Sequence, residues 1–277
     1  MFRKRDRMIQ IKTEAEVALM REAGLVVGRT LELLRAAAVP GATTKGLDEI
    51  AEASIRDAGG IPSFLGYQPH PSVPPFAGSI CASVNDEIVH GIPGPRELRD
   101  GDVISIDCGA ILDGWHGDAA ITVAVGEVPA EVTELMRVCE ESMWRGIAAA
   151  RLDGRVSDIG HAIETYIRSE GDYGIIEEYG GHGIGTEMHQ EPHVLNYGRP
   201  GRGPRLQKGL VLAVEPMITL GARFTQELDD NWTVSTTDGS PAAHFEHTFA
   251  LTDDGPWVLT ALDGGADWLG RLATSGG

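Results

Sequence analysis

The sequence is poor in cysteine, in basic residues and in long apolar runs. Its 3 cysteines lack CxxC spacing, which excludes a disulfide scaffold or a zinc finger and favours a reducing compartment. The 23 basic residues face 41 acidic ones, and the net charge of -18 argues against binding of nucleic acid or anionic membranes. No segment approaches the roughly 20 apolar residues of a membrane span. The basic N-terminus is not followed by the apolar run of a secretory signal. These absences predict a cytoplasmic protein whose acidity favours cationic ligands.

The order of predicted elements occurs twice along the chain. Two helical patterns precede the strand pattern DVISIDCG, and two more precede GLVLAVEPM. The helical segment AEASIRDAG resembles IETYIRSEG, and DGDVISIDCG aligns with KGLVLAVEPM so that Asp107 matches Glu215. This repeat predicts two related α/β halves that share one sheet. Since no Gly/Ser linker divides them, we expect a tail at residues 1–12 and a single domain at 13–277.

Asp113 and Gly114 predict a two-residue turn between two apolar strands. In the register that this turn sets, Gly109 faces Asp118, and Asp107 lies on the same face as Gly109. Asp107 and Asp118 would then be diagonal neighbours with Cβ atoms about 7 Å apart or less. A slip of one residue would place them on opposite faces, so their meeting depends on the turn.

Two further acids, Glu215 in LVLAVEPMI and Glu246 in HFEHTFAL, interrupt apolar strand patterns. A lone acid in such a pattern is more often an exposed or edge residue. Four of them together could not stay ionised in a core without cations, and two divalent ions would balance their charge. His182 and His189 in GGHGIGTEMHQEP add imidazoles, which suits Mn(II), Fe(II), Co(II) or Zn(II). Paired metals activate water and polarise a carbonyl, as amide hydrolysis requires.

At these residues the sequence resembles the type I methionine aminopeptidases of bacteria, from about Thr13 to about Thr260. The resemblance is carried by five local motifs in order: Asp107 in SIDCG, Asp118 in WHGDAA, His182 in GGHGIG, Glu215 in VEPM and Glu246 in FEHT. It implies the pita-bread fold, an α/β (α+β) fold whose two pseudo-symmetric halves share a curved antiparallel sheet flanked by helices.

The resemblance also implies the role of each ligand. Asp107 would bind one of two divalent ions, Asp118 and Glu246 would bind both, and His182 and Glu215 would complete the second. Glu215 would accept the proton of the water that attacks the first peptide bond. The substrate's free amine would sit at the acidic metal site, which explains action only at a chain end.

The remaining implied roles concern the peptide. His189 would bond the scissile carbonyl, and His90 would contact the backbone of the second residue. The methionine pocket would be lined by Tyr67, Phe76, Cys81, Met188 and Trp232. Phe76 stands where the family usually has tyrosine, and Met188 replaces a common aromatic residue. Five further histidines, His70, His161, His193, His244 and His247, are expected to be solvated or to support the site indirectly. His116, which precedes Gly117 and Asp118, is expected to orient that loop.

The predicted function is removal of the N-terminal methionine from nascent proteins and peptides, preferentially before a small residue. The expected partners are nascent chains and, transiently, the ribosome, and the expected state is a monomer. Two alternatives stay within the fold: an X-Pro aminopeptidase or prolidase-like hydrolase, and a non-catalytic binding protein. The first usually carries a large extra N-terminal domain, and the second typically lacks some ligands and carries basic patches.

Overall fold

The computed structural model describes residues 9–275. The helices are α1 (Glu14–Ala37), α2 (Thr44–Asp57), α3 (Ala130–Ala149), α4 (Val156–Glu170) and α5 (Ala266–Ser275). The strands are β1 (Ile61–Pro62), β2 (Ile80–Val84), β3 (Glu87–Val89), β4 (Val103–Leu112), β5 (Trp115–Ala124), β6 (Gly174–Ile175), β7 (Gly181–Gly183), β8 (Gln190–Val194), β9 (Val211–Val214), β10 (Met217–Thr219), β11 (Thr225–Glu227), β12 (Val234–Thr236), β13 (Ala242–His244), β14 (Glu246–Thr252) and β15 (Gly255–Val258).

Nine strands form the central antiparallel sheet. Its main path runs β1-β4-β5-β14-β9-β7-β8, with β2 added to β4 and β15 added to β14. Two three-stranded sheets, β13-β10-β6 and β11-β12-β3, complete the strand structure. Helix α1 packs against β4, β5 and α2, and α2 also contacts β1 and β2. Helix α3 packs against α4 and beside β9, β10 and β13, and α4 also contacts β8. Each half therefore contains the two helices that the sequence predicts.

The β4–β5 hairpin has the register that the sequence predicts. Asp113 and Gly114 have φ angles of 49° and 82°, the left-handed conformation that a tight two-residue hairpin turn requires. Gly109 pairs with Asp118, so Asp107 and Asp118 project from one face. The turn thus determines which face carries the two carboxylates.

The second half repeats this arrangement with an interruption. Each of the two apolar patterns predicted as strands is divided, one at Pro216 and the other at Phe245. Pro216 has no N–H to donate to a neighbouring strand. Even so, β10 pairs with β13 and β9 with β14 in one continuous register, which places Glu215 opposite Glu246. The strand is therefore interrupted at Glu215 and Pro216, while the register on either side of the interruption is kept.

The N-terminal helix is fixed at its start and along its length. Thr13 and Glu16 form a capping box, with Thr13 Oγ1 accepting from the N–H of Glu16 and Glu16 Oε2 accepting from that of Thr13. Before the helix, Lys12 donates its N–H to the carbonyl of Gly209, 2.8 Å away.

Residues 1–8 of the predicted tail lie outside the described part of the chain. Within residues 9–275 no helix combines the length and apolar composition needed to cross a membrane.

Helix α1 packs closely against the backbone at Leu259 through Gly24. A Cβ built on Gly24 would lie 2.3 Å from the carbonyl oxygen of Leu259, whereas one built on Gly270 in α5 would meet no atom within 4 Å. We expect Gly24→Ala to lower the free energy of unfolding by about 1–3 kcal/mol through overpacking. Gly270→Ala, the matched control, should raise it by roughly 0.5–1 kcal/mol because alanine is the better helix former. Urea denaturation measures both, and equal stability of the two variants would contradict this packing.

Candidate active site

The predicted metal-binding side chains meet on one face of the central sheet. Asp107 on β4 pairs with Ala120 on β5, and Ala120 pairs with Glu246 on β14. Directly paired residues share a face, so this row continues across the strands to Glu215. His182 on β7 joins the same face because it pairs with Ala213, two residues before Glu215. The structure therefore brings together all five predicted ligands: Asp107, Asp118, His182, Glu215 and Glu246.

The donor atoms lie within reach of shared cations. Nε2 of His182 is 4.0 Å from Oδ2 of Asp118 and 3.6 Å from Oε1 of Glu215. Asp118, His182 and Glu246 offer three ligand atoms within 4.8 Å of one another. Among the residues that the structure describes, Oδ1 of Asp107, Oδ1 of Asp118 and Oε1 of Glu246 are buried without a hydrogen-bond partner. Buried polar atoms of this kind normally have partners, and divalent ions would supply them here.

His182 is held in the tautomer that a metal ligand needs. Its Nδ1 lies 2.9 Å from the carbonyl oxygen of Gly183, which can only accept a hydrogen bond. Nδ1 therefore carries the proton, and Nε2 presents its lone pair to the carboxylates. Such a bond from the second ring nitrogen is the usual support of a metal-binding histidine.

Burial makes the metal-free carboxylates hard to ionise. It raises the pKa of Asp107 to about 7. Burial also raises the pKa of Asp118 and of Glu246 well above their ordinary values, and the neighbouring carboxylates add to the effect. For Glu215, burial alone would raise the pKa, but His244 and His182 bring it below its ordinary value. A divalent ion would replace the protons that three of these groups retain.

His244 adds an imidazole that sequence reasoning did not place among the ligands. The side chain is 1% exposed, and its Nε2 lies 3.5 Å from Oε2 of Glu215. Glu215, His244 and Glu246 form a second group of ligand atoms within 4.8 Å of one another. A signal was available, because residues two apart in a strand share a face and His244 precedes Glu246 by two.

An apolar pocket adjoins the carboxylates. Phe64, Phe76, Cys81 and Met188 form a separate buried cluster, against which Tyr67, Ile92 and Trp232 pack. Cys81 on β2 pairs directly with Asp107 on β4, which joins the pocket to the metal-binding face. Together the two regions line a cavity of about 320 Å³. The structure thus brings together all five predicted pocket residues, and adds Phe64, which sequence reasoning missed.

A proline-rich loop, residues 66–81, closes over the pocket through hydrogen bonds to its backbone. Gly66 donates to the carbonyl of Phe76, and Phe76 donates to that of Tyr67, at 2.9 Å each. The indole Nε1 of Trp232 donates to the carbonyl of Pro74, also at 2.9 Å. Aromatic residues from distant parts of the chain are thereby fixed around one space. Since loop closure of this kind leaves no periodic pattern, the sequence alone did not reveal it.

His90 and His189 flank the cavity as predicted. The ring of His189 lies 4.5 Å from that of His182, and its Nδ1 is 3.2 Å from the hydroxyl of Tyr67. Desolvation and the neighbouring His182 lower the pKa of His189 to about 4. Burial likewise lowers the pKa of His90, whose ring lies edge-on to Tyr179 at 5.7 Å. Both imidazoles are therefore neutral near pH 7.

The other histidines divide between the surface and the core. His70, His161 and His193 are exposed. His247 is half-buried: its ring lies 4.9 Å from that of Trp144, and its Nδ1 lies 2.8 Å from the hydroxyl of Thr260. Cys108 belongs to the main hydrophobic core, away from the carboxylates, as its position beside Asp107 in the strand predicts.

We expect the Asp107 carboxyl to destabilise the metal-free protein relative to Asp107→Asn as the pH rises from about 4 to about 8, whereas buried histidines of lowered pKa, such as His189 and His247, act in the opposite direction in both proteins. The folded pKa of Asp107 is raised to about 7, so its contribution is present below the unfolded pKa and lost as the pH rises through the folded value. Thermal unfolding in excess chelator measures this. Asp107→Asn, which stays neutral, should match the wild type in acid and exceed its Tm at the alkaline end. Equal Tm values at both ends would contradict the burial of a charged Asp107.

Comparison with known proteins agrees with this geometry. The pattern of metallopeptidase family M24 matches residues 18–253. A methionine aminopeptidase 1 of Bacillus subtilis is 50% identical over 92% of this chain and 100% of that protein, and one of Mycobacterium tuberculosis is 52% identical over 92% and 96%. The structure of a methionine aminopeptidase from Thermotoga maritima has a TM-score of 0.88 at 38% identity, covering 92% of this chain and 100% of that one.

A more distant likeness shows the fold alone. A prolidase structure from Pyrococcus furiosus has a TM-score of 0.71 at 20% identity, and the match covers 90% of this chain but 65% of that one. The architecture is the pita-bread fold that the sequence predicted. Because the family pattern spans most of the sequence and close relatives align along nearly their whole length, the chain belongs to metallopeptidase family M24.

Proposed function

We infer that the protein removes the N-terminal methionine from peptides and nascent proteins. The observation that carries this inference is the direct pairing of Cys81 with Asp107, which joins an apolar, sulphur-containing pocket to a cluster of metal-binding groups. Soft, polarisable and aromatic groups suit a thioether side chain. A methionine seated among them would present its first peptide bond to the carboxylates. The high identity to methionine aminopeptidases over almost the whole chain supports the same conclusion.

We propose that the donors divide between two divalent ions. One ion would be bound by Asp107, the other by His182 and Glu215, and both by Asp118 and Glu246. Bound ions supply two things, a water of lowered pKa and polarisation of the scissile carbonyl. Mn(II), Fe(II), Co(II) and Zn(II) all suit this mixture of oxygen donors and one imidazole. The acidic surroundings favour the substrate's free amine, which limits the reaction to chain ends.

Glu215 is suited to accept a proton during the reaction. The histidines on either side bring its pKa below the ordinary value despite burial, so it is ionised when the neighbouring carboxyls are not. An ionised carboxylate at the edge of the cavity can take the proton of the attacking water and pass it to the leaving amine. The roles of the carboxylates thus follow from their different surroundings rather than from their chemistry.

His189 is suited to donate to the scissile carbonyl. Burial raises the pKa of Tyr67, so its hydroxyl keeps its proton and can donate to Nδ1 of His189. His189 is neutral, so if its Nδ1 accepts a hydrogen bond from Tyr67, the single ring proton is on Nε2. That N–H can stabilise negative charge developing on the carbonyl oxygen. His90, beside Tyr179, would contact the backbone of the second residue, where limited space would favour small side chains.

The alternative functions have weaker support. The structures of a prolidase and of an Xaa-Pro dipeptidase are 20% and 22% identical to this chain, and the matches cover 65% and 62% of their lengths. A non-catalytic binding protein would not need to retain every ligand position, whereas all five are filled here. We propose further that residues 13–277 act as a single catalytic domain, that the protein acts as a cytoplasmic monomer, and that it meets nascent chains at the ribosome transiently.

Peptide cleavage tests the substrate assignment. Incubated with metal-loaded protein, Met-Ala and Met-Ser peptides should lose methionine, while Met-Leu, Leu-Ala, Ala-Pro and acetylated Met-Ala peptides should remain intact. Mass spectrometry detects the loss of one residue. The matched chelator-treated protein should be inactive and should recover with Mn(II) or Co(II). Cleavage of Ala-Pro without cleavage of Met-Ala would instead identify an X-Pro aminopeptidase.

Two substitutions test the proposed proton at Nε2 of His189. His189→Ala should lower kcat by about 10²–10³, the usual effect of losing one such donor, with metal content unchanged. Tyr67→Phe keeps the ring in the pocket but removes the hydroxyl that fixes the tautomer, so kcat should fall less while KM changes little. Steady-state kinetics and metal analysis check both. A wild-type kcat in His189→Ala would remove this residue from the reaction.

A further inference from the structure

The ring of His244 is buried beside the metal donors and has no role in the reaction proposed above. Its Nε2 lies 3.5 Å from Oε2 of Glu215, and within residues 9–275 it has no hydrogen-bond partner of good geometry. A buried ring nitrogen without a partner is costly. The carboxylate oxygen Oε2 of Glu215 is an acceptor that faces this nitrogen and could satisfy it.

Thr122 fixes the backbone that carries this ring. Thr122 Oγ1 donates to the carbonyl of His244 at 2.7 Å and accepts from its N–H at 2.9 Å. Since the only hydroxyl proton of Thr122 goes to that carbonyl, the 2.9 Å contact with Ser105 must be a bond that Ser105 donates. Ser105 and Thr122 are paired residues of the β4–β5 hairpin. The position of His244 is thus tied to the hairpin that carries Asp107.

Glu215 lies between two imidazoles that present different groups. Its Oε1 is 3.6 Å from Nε2 of His182, and its Oε2 is 3.5 Å from Nε2 of His244. Nε2 of His182 is a lone pair, because the ring proton is on Nδ1, so a cation must separate it from Oε1. No such requirement holds on the other side, where an N–H on His244 would satisfy both Nε2 and Oε2.

We propose that His244 is a positioning residue, which donates its Nε2–H to Oε2 of Glu215 and leaves Oε1 for the ion shared with His182. This rests on the metal site proposed above and extends it to a residue that binds no metal. A glutamate side chain has several rotatable torsions, so a bond to one oxygen limits the orientations of the other. Supporting bonds of this kind typically change metal affinity or activity by about 10–100-fold when removed.

Metal binding without any peptide tests the proposal. Mn(II) affinity would be measured by titration calorimetry on chelator-treated protein, and the coordination by the visible spectrum of the Co(II) form. His244→Leu should weaken binding at one site by about 10–100-fold. His244→Gln, which retains an N–H donor of similar reach, should recover most of the affinity and the wild-type Co(II) spectrum. His161→Leu, a surface histidine bonded to the carbonyl of Gly198, is the matched control and should behave as wild type.

Two outcomes would overturn the proposal. Wild-type affinity in His244→Leu would show that His244 does not act on the site. A loss in His244→Gln as large as in His244→Leu, with an altered Co(II) spectrum, would show that His244 binds metal directly. Because no peptide is present, a wrong assignment of the substrate would leave these results unchanged.

A shorter amide keeps the test decisive if His244→Leu fails to fold. His244→Asn carries the same amide as His244→Gln on a side chain one methylene shorter, so it cannot reach Glu215. Near-wild-type affinity in His244→Gln together with weaker binding in His244→Asn would support positioning through the N–H. Equal affinities in the two variants would overturn it. Thermal unfolding of each metal-free protein establishes that the compared forms are folded.

Discussion

The structure depends on placing acids of like charge on one buried face of a sheet. Asp107, Asp118 and Glu246 project from adjacent strands of that face, and Glu215 follows in the same register. In the absence of a cation, burial raises the pKa of three of them, so the metal-free face retains protons. The fold tolerates this because helices and paired strands bury enough apolar surface elsewhere. The same buried carboxylates therefore favour metal binding and lower the stability of the metal-free protein.

The first half of the site was predictable from the sequence because its geometry is local. The Asp113–Gly114 turn sets the register of β4 and β5, and strand periodicity then places Asp107 and Asp118 together. The motif resemblance supplied the other ligands. The pairing of β14 between β5 and β9, which brings Glu246 into line, joins strands far apart in sequence. No local pattern predicts such a pairing.

Features that depend on the break in the second half were less predictable. The pattern GLVLAVEPMITL resembles one strand, but Pro216 divides it and frees Glu215 from regular pairing. His244 was therefore not seen as a neighbour of Glu215, although its distance from Glu246 along the chain was a signal. The pocket presents the same difficulty, since Phe64 and Phe76 lie in the long connection between β1 and β2, whereas Trp232 lies between β11 and β12. Their meeting follows from loop closure, which periodicity does not describe.

The acidic face is expected to bind two divalent ions between the two halves of the sheet. Anomalous diffraction from crystals of the Mn(II)-loaded protein would locate them. We expect two peaks within ligand distance of the carboxylates, one beside Asp107 and one beside His182, with Asp118 and Glu246 between them. Anomalous density that lies elsewhere, or a well-ordered, metal-saturated crystal with no peak at these residues, would contradict this expectation.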